Sequence, residues 1–174
     1  MLKGSLEMPS DYIGYLDADL AVSLEDFHEL IQQVKKPNIV CCFGSRVPKL
    51  GTNLKIKTSR YIIGRIIANI IARILKASIY DTQCGCKMLE TPLAQNIFRE
   101  KFFSTWLFDV EFFARLLEKF PTNYDKVILE IPLKRWVNHE DSKVKYSYFF
   151  RMLLELYYIR NKYKKRLEHI LNTR

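Results

Sequence analysis

Glycine and proline are scarce, six of each among 174 residues. That excludes a fibrous repeat, a collagen-like chain and a flexible linker. Long hydrophobic runs are missing as well. No window reaches the ~18 apolar residues needed to cross a bilayer. The nearest, residues 62 to 75, is interrupted by Arg65, Asn69 and Arg73, so membrane contact is expected from the side only. Met1-Leu2-Lys3 is followed by Gly, Ser and Glu, without the apolar stretch of a secretory signal. Acidic residues are sparse toward the C-terminus. Of the formal net charge of +9, residues 143 to 174 carry +7, from nine basic and two acidic residues. The remaining body is close to neutral. No nucleic acid is therefore expected as a partner, since that would call for a basic stripe across the fold, and no helix-turn-helix, RNP or zinc pattern occurs. One anionic partner near the C-terminus fits better.

Cysteine is limited to two close pairs, Cys41-Cys42 and Cys84/Cys86. Neither has C-x-x-C spacing. Beside Ile39, Val40 and Phe43, the first pair reads as buried thiols. A four-thiolate zinc site would need the two segments to meet. Reduced thiols suggest a cytosolic protein.

The chain is 48% hydrophobic and 27% charged, enough for a core of its own. Tyr12 to Leu16 reads as a buried strand ending at Asp17. Ser23 to Val34 has helical spacing, with Ser23 and Asp26 resembling an N-terminal capping box. Pro37-Asn38 breaks the chain before a second strand, Ile39 to Phe43. Residues 47 to 58 read as a basic loop. From Ser59 to Leu75, isoleucines at 62, 63, 66, 67, 70, 71 and 74 mark one broad helical face. A short strand at Lys87 to Glu90, helices at Pro92 to Phe98 and Trp106 to Phe120, and a strand at Val127 to Pro132 follow. A long amphipathic helix covers Tyr146 to Leu171. Alternating strands and helices predict an α/β layered domain. A catalytic portion is assigned to residues 1–142 and a basic helical tail to 143–174.

Several residue groups could carry chemistry. Asp17-Ala18-Asp19 ends an apolar strand, where ligands sit in open α/β sheets. Paired carboxylates there suit Mg²⁺ or Mn²⁺, which favour oxygen ligands and bind substrate phosphates. The bland reading is a polar strand end with Asp19 capping the next helix. Gly44-Ser45-Arg46 is a second strand end, and Arg pairs well with phosphate. Asp81-Thr82-Gln83-Cys84-Gly85 concentrates polar groups where no amphipathic pattern calls for them, though a simple turn would do the same. Asp109 and Glu111 sit inside an aromatic stretch, which is costly unless they are paired, functional or on the exposed edge of the helix.

Taken in order, Tyr15 to Ala21 (Y-L-D-A-D-L-A), Gly44 to Arg46 (G-S-R), Arg60, Asp81 to Lys87 (D-T-Q-C-G-C-K), Phe108 to Glu111 (F-D-V-E), Glu130 to Trp136 (E-I-P-L-K-R-W) and Ser142 to Val144 (S-K-V) resemble glycosyltransferase family 2. Within it they are most similar to the dolichyl- or polyprenyl-phosphate glycosyltransferases, the dolichyl-phosphate β-glucosyltransferase branch in particular. The resemblance implies a GT-A fold: a Rossmann-like mixed sheet flanked by helices. It also implies inverting transfer of a sugar, expected to be glucose, from a nucleotide-sugar to a polyprenyl phosphate. By position, Asp17 and Asp19 would bind the metal. Arg46 and Arg60 would meet phosphates. Asp81, Gln83, Asp109 and Glu111 would line the sugar pocket. Ser142 and Lys143 would meet the lipid phosphate. The basic aromatic C-terminal helix would lie on an anionic membrane surface at the cytosolic face.

Some features depart from the family pattern. D-x-D arrives at residue 17, so the chain reads as the C-terminal part of such a domain, without the strands that hold the nucleotide base. The sheet edge left open would favour self-association. Cys86 replaces an aromatic, and Asp141 replaces the glycine before Ser-Lys. The rival reading is a non-catalytic module that binds a membrane surface or a protein through its C-terminal helix.

Overall fold

The computed structural model describes residues 2–7, 9–48, 53–55, 58–137 and 146–169. Its elements in chain order are α1 (Leu2–Glu7), β1 (Tyr12–Leu16), α2 (Leu24–Val34), β2 (Cys41–Ser45), β3 (Asn53–Lys55), α3 (Thr58–Leu75), β4 (Cys86–Glu90), α4 (Thr91–Ile97), α5 (Phe108–Lys119), α6 (Tyr124–Val127), β5 (Ile128–Pro132), β6 (Arg135–Val137) and α7 (Tyr146–His169). The α/β expectation holds. A four-stranded mixed sheet has the order β1-β4-β2-β5, and β3 pairs with β6 in a small second sheet. β4 runs antiparallel to β1 and to β2, while β5 is parallel to β2. The ends of β1, β2 and β5 therefore share one edge with the start of β4. In register, Leu16 faces Cys86 and Ser45 faces Pro132.

Period-two alternation sorts the sheet residues onto two faces. Cys41, Phe43, Leu89 and Ile128 belong to one apolar cluster with residues of α3, α4, α5 and α7. Cys42, Cys86 and Met88 belong to another, with Leu30 and Val34 of α2. The layers are thus helix, sheet, helices. The four cysteines are free and buried. Cys41 and Cys42 point to opposite faces, so the adjacent pair cannot act together. Burial pushes the Cys42 and Cys86 thiols up to about 12, which leaves them inert at neutral pH.

Ser23 caps α2 by accepting from the Asp26 N–H at 3.1 Å, as the spacing predicts. The Asp26 carboxylate does not close the box onto the Ser23 backbone. It accepts instead from the backbone N–H groups of Lys134 and Arg135, at 2.9 and 3.1 Å, and so ties α2 to the start of β6. α3 ends with Lys76 at φ 52° and an Ala77 N–H to Ala72 carbonyl bond of 3.2 Å. This is a Schellman cap with lysine at the usual glycine position.

Three boundaries differ from expectation. β2 starts two residues later and continues through Ser45, because its partner β5 runs on to Pro132. The basic loop after residue 46 contains β3, whose pairing with β6 is a tertiary contact that local composition does not reveal. α1 and β6 carry too few residues for a periodic signal. α7 contributes Met152, Leu156, Ile159 and Tyr163 to the main core cluster, so its inner face packs on the body.

Candidate active site

The shared sheet edge gathers six of the expected residues, Asp17, Asp19, Arg46, Asp81, Gln83 and Asp109. β1 ends at Asp17, whose N–H donates to the Gly85 carbonyl at 2.8 Å. The chain then turns, with the Leu20 N–H bonded to the Asp17 carbonyl at 3.1 Å. Asp19 Oδ1 accepts from the Ala21 N–H at 3.0 Å. Leu20 is held at φ 51°, an uncommon conformation for a branched residue, at the turn that carries both acids. The Asp17 carboxylate lies against Gly85, where a Cβ would overlap it. Glycine at 85 is thus a packing requirement of Asp17.

Lys87 is the second residue of β4, opposite Tyr15 on one side and Phe43 on the other. It is fully buried. Its Nζ donates to the Cys84 carbonyl at 2.7 Å and to Asp109 Oδ1 at 2.6 Å. The Tyr15 hydroxyl donates to the same oxygen at 2.6 Å. Asp109, from the first turn of α5, is thereby fixed above the sheet, and burial together with Asp109 raises the Tyr15 pKa. A buried lysine in a central strand is tolerated only when paired and hydrogen-bonded.

Arg46 follows β2. Its Nε and Nη2 donate to Asp81 at 2.6 and 2.8 Å, a bidentate pair, and its N–H donates to Asp81 as well. The guanidinium lies 5.5 Å from the Trp136 ring centroid. Glu130 of β5 accepts from the N–H groups of Tyr80 and Asp81 at 2.9 and 2.8 Å, and Asp81 Oδ1 accepts from the Gln83 N–H. Burial would raise the Asp81 pKa, but hydrogen bonds and charge from Arg46 outweigh it and hold the carboxylate below its ordinary value. Asp17 shows the reverse. Burial, then the charges of Asp19 and Asp109, raise its pKa, against partial relief from Lys87 and Arg46. An under-neutralised carboxylate is thus placed beside a second one.

Glu111 is not part of this group. Neither Glu111 nor Asp109 is on an exposed helix edge; both are buried. Two residues apart on α5, they face different partners. Glu111 accepts from the Phe103 N–H, Arg115, Lys162 and the Tyr163 hydroxyl at 2.7 to 3.1 Å. It ties α5 to α7. Burial would raise its pKa, but Arg115, Tyr163 and Lys162 more than offset this and lower it. Arg60 lies in the first turn of α3, with its side chain outside the described residues. Ser142 and Lys143 also lie outside them. Lys87, Glu130, Tyr15 and Gly85 were not singled out by type or spacing, although each stands inside a string quoted above. A charged residue within an apolar strand was the available signal for Lys87 and Glu130.

Two adjacent carboxylates, only partly offset by Lys87 and Arg46, could hold a hard divalent cation that takes its other ligands from water and substrate phosphate. Among the described residues no group of three or more His, Cys, Asp or Glu forms a self-sufficient metal cage. No helix among them is long and apolar enough to cross a membrane.

The family model described as glycosyl transferase family 2 matches residues 1–98. The chain is 27% identical over 158 residues to a dolichyl-phosphate beta-glucosyltransferase of Trichomonas vaginalis, covering 88% of this chain and 45% of that protein. It is 29% identical over 114 residues to a dolichyl-phosphate beta-glucosyltransferase of Dictyostelium discoideum, covering 63% of this chain and 35% of that one. The chain spans less than half the length of these relatives. It belongs to glycosyltransferase family 2, and its mixed sheet flanked by helices accords with a GT-A-like fold.

Proposed function

From that membership we propose that the chain takes part in inverting transfer of glucose from a nucleotide-sugar to a dolichyl or related polyprenyl phosphate. One observation carries the reading: Asp17, seated on Gly85 beside Asp19, faces Asp109, Lys87 and Arg46 at the sheet edge where β1 and β2 end. The family match, over residues 1–98, and the glucosyltransferase relatives support the same reading.

Asp17 and Asp19 would hold Mg²⁺ or Mn²⁺, which when bound supplies charge stabilisation to the leaving diphosphate. Asp81 fixes the Arg46 guanidinium, which would meet a phosphate of donor or acceptor together with Arg60. Asp109 and Gln83 would contact the sugar. Lys87 orients Asp109 through the 2.6 Å contact of its Nζ with Oδ1. Ser142 and Lys143 would meet the lipid phosphate. In the reaction a phosphate oxygen of the acceptor forms the new bond to the anomeric carbon. The bond from that carbon to the nucleoside diphosphate breaks, and its electron pair leaves on the diphosphate. A phosphate monoester with a second pKa near ~6 is already largely ionised at neutral pH, so no strong general base is required. Glu111, saturated by donors from α5, α7 and the Phe103 N–H, serves as a positioning residue rather than a pocket acid. Peripheral attachment at the cytosolic face of a membrane completes the proposal.

The test is transfer of labelled glucose into the organic phase. The chain is incubated with dolichyl phosphate, Mn²⁺ and either UDP-glucose or GDP-glucose. Labelled lipid that disappears with Asp19→Asn supports the reading. A folded chain that yields none contradicts it for this chain.

A further inference from the structure

The connection from α3 to Asp81 is held more tightly than a loop requires, since loops commonly leave their backbone polar groups to water. The Ala77 N–H bonds to the Ala72 carbonyl, and the Ser78 N–H to the Tyr124 hydroxyl at 3.1 Å. Tyr80 is fixed by backbone, ring and hydroxyl. Its carbonyl accepts from Arg65 Nη1 at 2.7 Å, and the Arg65 guanidinium lies 3.4 Å from its ring centroid. Its hydroxyl is 3.1 Å from that of Tyr61. Its N–H donates to Glu130 Oε2 at 2.9 Å, and the next N–H, of Asp81, donates to Glu130 Oε1 at 2.8 Å. Glu130 therefore gives one oxygen to each of two successive N–H groups. A glutamine, with a single acceptor oxygen and two N–H donors, cannot do this. Glu130 is a half-buried acid inside the apolar run of β5. Its register partner on β2 is Phe43, and Arg46 follows the end of that same strand. Asp81 then returns to Arg46, Oδ2 to Nε and Oδ1 to Nη2. The contacts close a ring. Strand pairing joins β2 to β5, Glu130 joins β5 to the 80–81 peptide, and Asp81 joins that peptide back to β2.

We infer that Glu130 is a positioning residue for the Arg46 guanidinium, acting through the Tyr80 and Asp81 N–H groups and the Asp81 carboxylate. Asp81 takes the Nε and Nη2 edge of the guanidinium fork. The orientation of that edge fixes the direction of the whole planar group, Nη1 included. What the fixed guanidinium meets, a phosphate, rests on the transferase reading. The positioning itself does not. Without both Glu130 oxygens the 80–81 peptide loses its hold on β5, and Arg46 follows Asp81 out of register. Tyr61 and Arg65 hold Tyr80 from the α3 side and leave the Asp81 N–H to Glu130. They therefore do not replace it.

The test is nuclear magnetic resonance of the arginine Nε–H groups in the full chain, with Arg46→Lys used to assign the Arg46 signal. The wild-type Arg46 Nε–H should be protected from hydrogen exchange by its carboxylate partner. Glu130→Gln should speed that exchange about tenfold or more. The Arg115 Nε–H, bonded to the Tyr163 hydroxyl at 3.2 Å, should be unaffected and serves as the control for the fold. Inorganic pyrophosphate should move the wild-type Arg46 signal and bind about tenfold more weakly to Glu130→Gln. Should that variant misfold, the wild type supplies the test. Its Tyr80 and Asp81 amides and its Arg46 Nε–H should open together across a denaturant series. Three outcomes overturn the inference: an unaltered Arg46 signal in folded Glu130→Gln, equal loosening of Arg46 and Arg115, or wild-type amides at 80 and 81 that open independently of Arg46. Pyrophosphate without effect on the wild-type Arg46 signal would contradict the transferase reading instead, so the two failures are distinguishable.

Discussion

At the residue scale the site is a problem in charge balance. Asp17 is raised above its ordinary value of 3.8 by burial first and by Asp19 and Asp109 next. A raised carboxyl costs stability as pH climbs above the unfolded value, because the folded state holds its proton more tightly. Asp17→Asn is therefore expected to raise the thermal midpoint at pH 7 while abolishing metal-dependent ligand binding. Stability and function would then pull apart at one atom pair, as is common at active sites. Lys87 behaves oppositely. Removing it leaves Asp109 buried without its cation, and Lys87→Met is expected to cost about 3 to 5 kcal/mol in denaturant unfolding. Asp109→Leu combined with it should recover part of that loss.

At the scale of elements, caps and ties decide what the helices do. Lys76 occupies a left-handed position that glycine takes without steric cost, so Lys76→Gly should stabilise the chain by about 1 kcal/mol, read from chemical denaturation. Glu111 is held below its ordinary value of 4.5 because its partners from α5 and α7 outweigh burial. A lowered carboxyl contributes stability above the unfolded value, lost as pH falls through the folded one. The wild-type midpoint should therefore drop steeply below about pH 4.5. Glu111→Gln should be less stable at pH 7 and show a flatter acid limb. Elements with strong periodicity were legible in the sequence: α2, α3, α5, and the strands β1 and β5. β3 and β6 were not, since three-residue strands exist only through pairing with each other. The end of β2 was misplaced for the same reason.

At the scale of the molecule, topology assembles the site. Because β4 runs against both neighbours, the start of one strand meets the ends of three others. Asp17, Arg46 and Asp81 converge although up to 64 positions separate them. The sequence strings located these residues but did not reveal who pairs with whom. Arg46 was expected at a phosphate and is clasped by Asp81. Glu111 was grouped with Asp109 and belongs to the α7 tie. Side-chain direction on a helix two residues apart, and the burial of Lys87 against Asp109, are set by packing. The most direct measurement is calorimetric titration of the chain with UDP-glucose, with and without Mn²⁺, beside Asp17→Asn and Asp19→Asn. Binding that requires Mn²⁺ and vanishes in both variants is the expected result. A folded chain that binds equally well without the metal, or with both acids replaced, or that does not bind at all, would contradict the assignment of this sheet edge as the donor site.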